Sequence, residues 1–267
     1  MRRAILWICF ALLLTACGGG KEVQKQEEDL TAKEMLQGIW LDDNTDMPLM
    51  RIEGDTIYYV DPQNAPAAFK IVHDTIYIYG NTPTAYKIDA QTEYSFRFHS
   101  LVDDIICMHK SENPEDELSF TSSHEVEVIP TISEVIEKDS VVMYKGTRYR
   151  GYVYINPSQM KVIKTSYSEE GMSVDNVYYD NVIHICVYEG KRQLYGKDIT
   201  KKEFADVVEE EWLRQVILSD MDFMGVKEDG YHYQAVLRVP ESSVYNLINI
   251  VISFDGEMKI NKADMSE

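Results

Sequence analysis

The sequence predicts a β-rich α+β protein with a small antiparallel barrel or meander at the N-terminal end. An antiparallel sheet packed with one main helix follows it. Three observations predict this. Short runs rich in Ile, Val and Tyr recur between Ile39 and Lys110, separated by turn residues. One of those runs has an internal echo: Ile52-Glu53-Gly54-Asp55-Thr56-Ile57-Tyr58-Tyr59 returns nineteen residues later as Ile71-Val72-His73-Asp74-Thr75-Ile76-Tyr77-Ile78. From Val141 onward strand-like runs resume around a single stretch of helical period. The chain has 267 residues, 45% of them hydrophobic, and at about 100–200 residues per domain two domains are expected.

The chain begins with Met1-Arg2-Arg3, and Ala4 to Leu14 is almost unbroken apolar sequence. A cationic start, a short apolar run and small residues before a cut describe a secretory signal peptide, assigned to residues 1–16. The run is too short to span a bilayer, which takes about 20 residues. Leu14-Thr15-Ala16-Cys17 resembles the bacterial lipobox. The resemblance implies cleavage before Cys17, a diacylglycerol on its thiol and acylation of the new amine. Anchoring by several acyl chains is stable, since each buried CH₂ contributes about 0.8 kcal/mol. Gly18 stands where an Asp would favour inner-membrane retention by the same family analogy, so the outer membrane is expected. Lys21-Glu22 matches acidic export signals poorly, and leaves open whether the protein faces the periplasm or the outside.

Residues 17–30 are polar and lack an apolar period, and are read as a lipidated flexible tether. The span from Cys17 to Trp40 would average roughly 25 Å as a coil. Thr31-Ala32-Lys33-Glu34 matches a capping box before one or two helical turns. Residues 31–112 form the first β domain, with strands predicted around both copies of the echo and at Ala85–Asp89, Tyr94–His99 and Ile105–His109. Gly38-Ile39-Trp40, opening the first strand, resembles the Gly-x-Trp start of lipocalin-like families. There the Trp closes one end of the barrel, so Trp40 is the barrel-closing candidate. A ligand cavity of that type would be ringed by Tyr58, Tyr77 and Phe96.

Residues 113–138, acidic and containing Pro114 and Pro130, read as a linker with one strand at His124–Ile129. Residues 139–267 form the α+β domain. Strands are expected at Val141–Lys145, Thr147–Ile155, Lys161–Tyr167, Val182–Glu189 and Gln193–Lys197. Thr200-Lys201-Lys202-Glu203 is a second capping box. The helix it opens carries Val207, Val208, Trp212, Leu213, Val216 and Ile217 on one stripe. Strands at Phe223–Lys227, Tyr231–Val239, Val244–Phe254 and Met258–Ile260 follow, with Asp229-Gly230 and Asp255-Gly256 as hairpin turns. Tyr188-Glu189-Gly190-Lys191, Lys197 to Phe204, Trp212-Leu213 and Tyr231-His232-Tyr233-Gln234-Ala235 together resemble uncharacterised lipoproteins of Gram-negative gut bacteria. Their C-terminal domain is of unknown function, so the resemblance carries no catalytic residue with it.

The formal charge of −19 becomes −21 once the leader and its two arginines are removed. Such a balance argues against nucleic acid, which requires clustered Lys and Arg. Of four cysteines, Cys9 leaves with the leader and Cys17 carries lipid. Cys107 and Cys186 sit in apolar runs in different domains and are read as unpaired buried thiols. No HExxH, CxxC, G-x-S-x-G or S-x-x-K occurs, and no cofactor or metal is implied. His99 and His109 with Asp103 are the one metal arrangement worth testing. Along Thr147–Ile155 the alternation of a strand puts Arg148, Arg150, Tyr152 and Tyr154 on one face. Arg and Tyr are favoured at recognition surfaces, so this face is the candidate contact for an unknown protein or glycan. Pairing of these arginines with acids such as Glu189 is the competing account. The function expected is therefore a non-catalytic envelope lipoprotein acting as an interaction module. A lipocalin-like binder of a small apolar ligand and a hydrolase with dispersed carboxylates are the alternatives.

Overall fold

The structure is a computed structural model and describes residues 27–120 and 126–263. The signal peptide, Cys17, most of the tether and His124 lie outside the described residues. Among the described residues no helix is long and apolar enough to cross a membrane.

The first unit is a closed antiparallel barrel. A short helix α1 (Leu30–Met35) leads into β1 (Gly38–Asp42), β2 (Pro48–Glu53), β3 (Thr56–Tyr59), β4 (Asn64–Ala65), β5 (Ala67–Val72), β6 (Thr75–Tyr79), β7 (Thr84–Gln91), β8 (Ser95–His99) and β9 (Ile105–Lys110). The barrel order is β1-β2-β3-β5-β6-β7-β8-β9, and β1 pairs with β9 to close it. The echo proves to be a repeated hairpin. Gly54 and His73 hold the same left-handed turn position, at φ 59° and 55°. The following aspartates, Asp55 and Asp74, each accept through their carbonyl from a residue fourteen positions on, Phe69 and Ile88.

Eight strands leave an interior that side chains can fill, and here they do. Trp40, Met50, Ile52, Ile57, Phe69, Ile71, Ile78, Tyr86, Phe96, Phe98 and Met108 form one buried cluster. Trp40 meets Phe96 edge-on at 5.9 Å, and its indole Nε1 donates to the Leu36 carbonyl at 2.7 Å. Leu36 and Trp40 therefore stopper the mouth beneath α1. The ring expected of Tyr58, Tyr77 and Phe96 does not form. Phe96 points inward, but the inward partners on β3 and β6 are Ile57, Ile76 and Ile78. Strand alternation puts Tyr58 and Tyr77 on the outer wall, where the Arg51 guanidinium lies 5.0 Å from the Tyr58 ring. The α1 cap also differs from expectation. Asp29, not Thr31, accepts from Ala32 N at 2.9 Å.

The second unit is a two-sheet sandwich. One sheet holds β10 (Ile136–Tyr144), β11 (Thr147–Tyr167), β12 (Ser173–Glu189) and β13 (Arg192–Ile199) in that order. The other holds β14 (Ile217–Lys227), β15 (Gly230–Arg238), β16 (Tyr245–Ile252) and β17 (Met258–Lys262). Their facing sides share a core including Val153, Ile155, Ile183, Ile185, Val187, Phe223, Tyr233, Leu237 and Ile250. Gly151 permits the close approach, since a Cβ there would overlap the Phe223 ring. The expected main helix is split. Lys201–Phe204 is a 3₁₀ turn, α2 covers only Glu210–Gln215, and Ile217 already opens β14. Val216 and Ile217 are buried as extended chain because the second sheet needs them in its first strand.

The hairpin β11–β12 joins the two units. It runs on past a bulge between Pro157 and Lys161 and extends to the barrel mouth opposite α1. Met172 at its tip is buried in the barrel cluster. Ser173 N donates to the Tyr86 hydroxyl at 2.6 Å, and the Ser173 hydroxyl lies 2.7 Å from Thr84 Oγ1. Asp175 accepts from the Asn81 amide and, at 2.6 Å, from Thr165 Oγ1. In return β4 of the barrel unit pairs with β12. The stretch expected to be a linker is docked as well. Phe120 is buried, Glu117 meets Arg51 on the barrel wall, and Ile129 exchanges backbone bonds with Val177 and Tyr179.

Candidate functional site: the outer face of the first sheet

The core side of β11 takes Gly151, Val153 and Ile155, so the intervening residues must face outward. Arg148, Arg150, Tyr152 and Tyr154 do share that outer face. The register extends it across three neighbours: Val141 opposes Arg150 and Met143 opposes Arg148 on β10, while His184, Cys186 and Tyr188 on β12 oppose Tyr154, Tyr152 and Arg150. On β13, Asp198 opposes His184 and Gly196 opposes Cys186.

The side chains form a connected surface. Tyr152 and Tyr154 are near-parallel at 6.0 Å, and Tyr188 meets Tyr152 edge-on at 5.7 Å. Arg150 lies over the Tyr152 ring at 4.8 Å while its Nε donates to Asp139 at 2.7 Å. Its acidic partner is thus Asp139 on β10. Glu189, the partner expected from sequence, is bound by Arg192 across the hairpin turn instead. Arg148 is exposed and has no ion-pair partner among the described residues. Val141 and Met143 are exposed apolar neighbours of the two arginines. No local pattern points to Tyr188, His184, Val141 or Met143, because only the cross-strand register places them here.

Beneath the rings lies Cys186, only 4% exposed, and burial pushes its thiol up, the opposite of an activated nucleophile. Cys107 departs from the expected burial. It is half-buried on the outer barrel wall, opposite Arg97. His184 Nδ1 lies 2.7 Å from the Asp198 carboxylate, which accepts from it, at the edge of the aromatic patch.

The other histidines with partners also sit beside aspartates, and His109 has a second, Asp46, 3.5 Å from its Nε2. His99 pairs with Asp103 at 2.9 Å and His109 with Asp43 at 2.8 Å. His99 lies opposite Ile105 and His109 opposite Ser95, which puts them at opposite ends of the β8–β9 ladder. The expected His99–His109 juxtaposition therefore does not occur. Among the described residues no group of three or more His, Cys, Asp or Glu is placed to hold a metal.

One buried polar node holds the sandwich together. Asp180, 1% exposed, accepts from Asn181 N and Leu218 N at 2.8 Å each through Oδ1. Its other oxygen is 3.8 Å from Lys201 Nζ, which donates to the Val216 carbonyl at 2.9 Å. Burial works against both charges, pushing Asp180 up and Lys201 down.

Residues 113–260 match the family described as Domain of unknown function (DUF4738). The match covers the docked connection and the sandwich up to the middle of β17, and leaves the barrel outside it. A comparison with curated proteins gives no match. Since the matched region is more than half of the chain, the protein belongs to the DUF4738 family, and the aromatic face and the Asp180 node both lie in the part that defines it.

Proposed function

We propose that the protein is a lipid-anchored component of the cell envelope, held on Cys17 at the outer membrane. It acts as a binding module that receives a protein partner on the outer face of β10–β13. Leu14-Thr15-Ala16-Cys17 and the polar run after it support the anchor. The likeness of the C-terminal half to lipoproteins of Gram-negative gut bacteria supports the same address. The chain enters its described part beside α1, at the barrel mouth farthest from the sandwich. A tether on Cys17 would thus hold the barrel toward the lipid and present the sandwich outward.

The observation that carries the binding reading is the outward-facing run of Tyr152, Tyr154 and Tyr188 between Arg148, Arg150 and Met143. Aromatic residues, Arg and Met are the types enriched where proteins meet. Tyrosine contributes large contact area at low entropic cost. The exposed Val141 and Met143 add apolar area beside the rings.

A photo-crosslinking residue in place of Tyr154, in otherwise native envelopes, should capture a defined partner. The double variant Arg148→Ala with Tyr152→Ala should lose that partner in pull-downs while keeping its own abundance. An unchanged set of partners would overturn the reading.

A further inference from the structure

The opposite side of the sandwich carries a second surface of different chemistry. Strand register aligns Gln234 on β15, Asn249 on β16 and Asn261 on β17 in one cross-strand row. They share the outer face of the second sheet, because Tyr233, Ala235, Ile248 and Ile250 fill its inner face. The row lines a groove of about 410 Å³. Met224 and Val251 supply the apolar part of its lining, and His232 and Lys227 also line it. Met224 stands out from the sheet at a bulge between Phe223 and Gly225, and is exposed.

The amides are oriented. Gln234 Nε2 donates to Asn249 Oδ1 at 3.1 Å. That leaves Gln234 Oε1 able to accept and Asn249 Nδ2 able to donate, with Asn261 next in the row. Adjacent strands are about 4.8 Å apart, so the row offers paired donors and acceptors repeated along a line. Hydroxyl groups both donate and accept, and a row of amides satisfies them in succession. A peptide running across a sheet face would meet no free backbone edge.

Charge narrows the ligand further. In a chain with 45 Asp and Glu against 26 Lys and Arg, no carboxylate among the described residues lines this groove. Two acids next to it are already engaged. Asp229 holds His232 Nε2 at 2.7 Å, and Asp222, opposite Gln234, takes Lys138 at 2.9 Å. Lys227 in the lining and Lys259, opposite Val251, make no salt bridge among the described residues, although Lys227 is near enough to Asp229 to help His232 hold that carboxyl low.

From these features we infer that the outer face of β14–β17 is a saccharide-binding groove for an oligosaccharide whose sugars bear carboxylates. The Gln234–Asn249–Asn261 row reads hydroxyls, Met224 and Val251 support the apolar ring face, and Lys227 meets the carboxylate. This site is separate from the aromatic face and does not depend on the anchor.

The test is calorimetric titration of the sandwich-containing protein, residues 27–267, with a trimer of galacturonic acid, a matching trimer of galactose and triglutamate. The acidic sugar should bind and the other two should not. Asn249→Ala should weaken binding roughly tenfold. Lys227→Ala should weaken it by a similar factor and flatten its salt dependence. Unfolding midpoints of both variants should match the parent, because both side chains lie on the solvated face. Equal binding of the galactose trimer or of triglutamate would overturn the proposal, as would no binding of the acidic sugar. Concentration-dependent dimerisation abolished by Asn249→Ala, without sugar binding, would assign the face to a second copy and overturn it too.

Discussion

The barrel and the sandwich handle aromatic residues in opposite ways. In the barrel Trp40, Tyr86, Phe96 and Phe98 point inward and help to fill the interior. In the first sheet of the sandwich Tyr152, Tyr154 and Tyr188 point outward, and the core is left to Val, Ile, Leu and a few ring systems from the facing sheet. A closed barrel has no edges and one small interior, so its large side chains are consumed by filling it. A sandwich buries one face of each sheet and leaves the other available. Rings on the available face do little for the core. The barrel thus reads as the scaffold, and the sandwich, which carries the family match, as the part whose outer faces are left for the proposed binding.

That contrast can be broken by measuring stability. Trp40→Ala removes a fully buried ring, its contact with Phe96 and the bond to the Leu36 carbonyl. It should cost about 4–5 kcal/mol in denaturant unfolding. A cost near zero would mean that the filled barrel interior contributes little to stability.

Asp180→Ala comes next. Removing the carboxylate strands Lys201 and two backbone amides in the sandwich, and should cost about 3 kcal/mol. The pH dependence has a defined sign. Burial raises the native Asp180 pKa above its unfolded value. The native state therefore holds that proton more tightly, and this contribution is complete below about pH 4 and lost as pH rises through the native value. Wild-type urea midpoints should fall relative to Asp180→Asn from about pH 4 upward. A difference that rises with pH would reverse the assignment.

The smallest expected change sharpens the comparison most. Tyr152→Ala loses two ring contacts on a solvated face and should cost only about 1 kcal/mol. A cost like that of Trp40→Ala would make the outer tyrosines structural and remove the contrast.

Part of the fold and of the candidate site is legible in the residues themselves. The repeat of Ile52–Tyr59 at Ile71–Ile78 identifies a hairpin unit, because each copy places a positive-φ residue and an Asp-Thr pair between two short strands. The hairpin turns at Asp229-Gly230 and Asp255-Gly256 are readable because glycine there takes a positive φ, 140° and 88°. Arg148, Arg150, Tyr152 and Tyr154 share a face by alternation alone. The expected long helix was not borne out. The Val207–Ile217 stripe has helical spacing, yet short apolar runs are equally compatible with strands, and the sandwich core claimed Val216 and Ile217 as extended chain.

By itself the sequence determined local matters: alternation, turns, the charge balance, and the leader-like and lipobox-like patterns that end at Cys17. These depend on neighbours within a few residues. Tertiary structure alone decided which strands are partners. Register gave Arg150 to Asp139, set Gln234, Asn249 and Asn261 in one row, and carried Met172 into the barrel mouth. Such contacts join strands by pairing and packing, and their energy comes from closure of the whole fold, which no local pattern encodes.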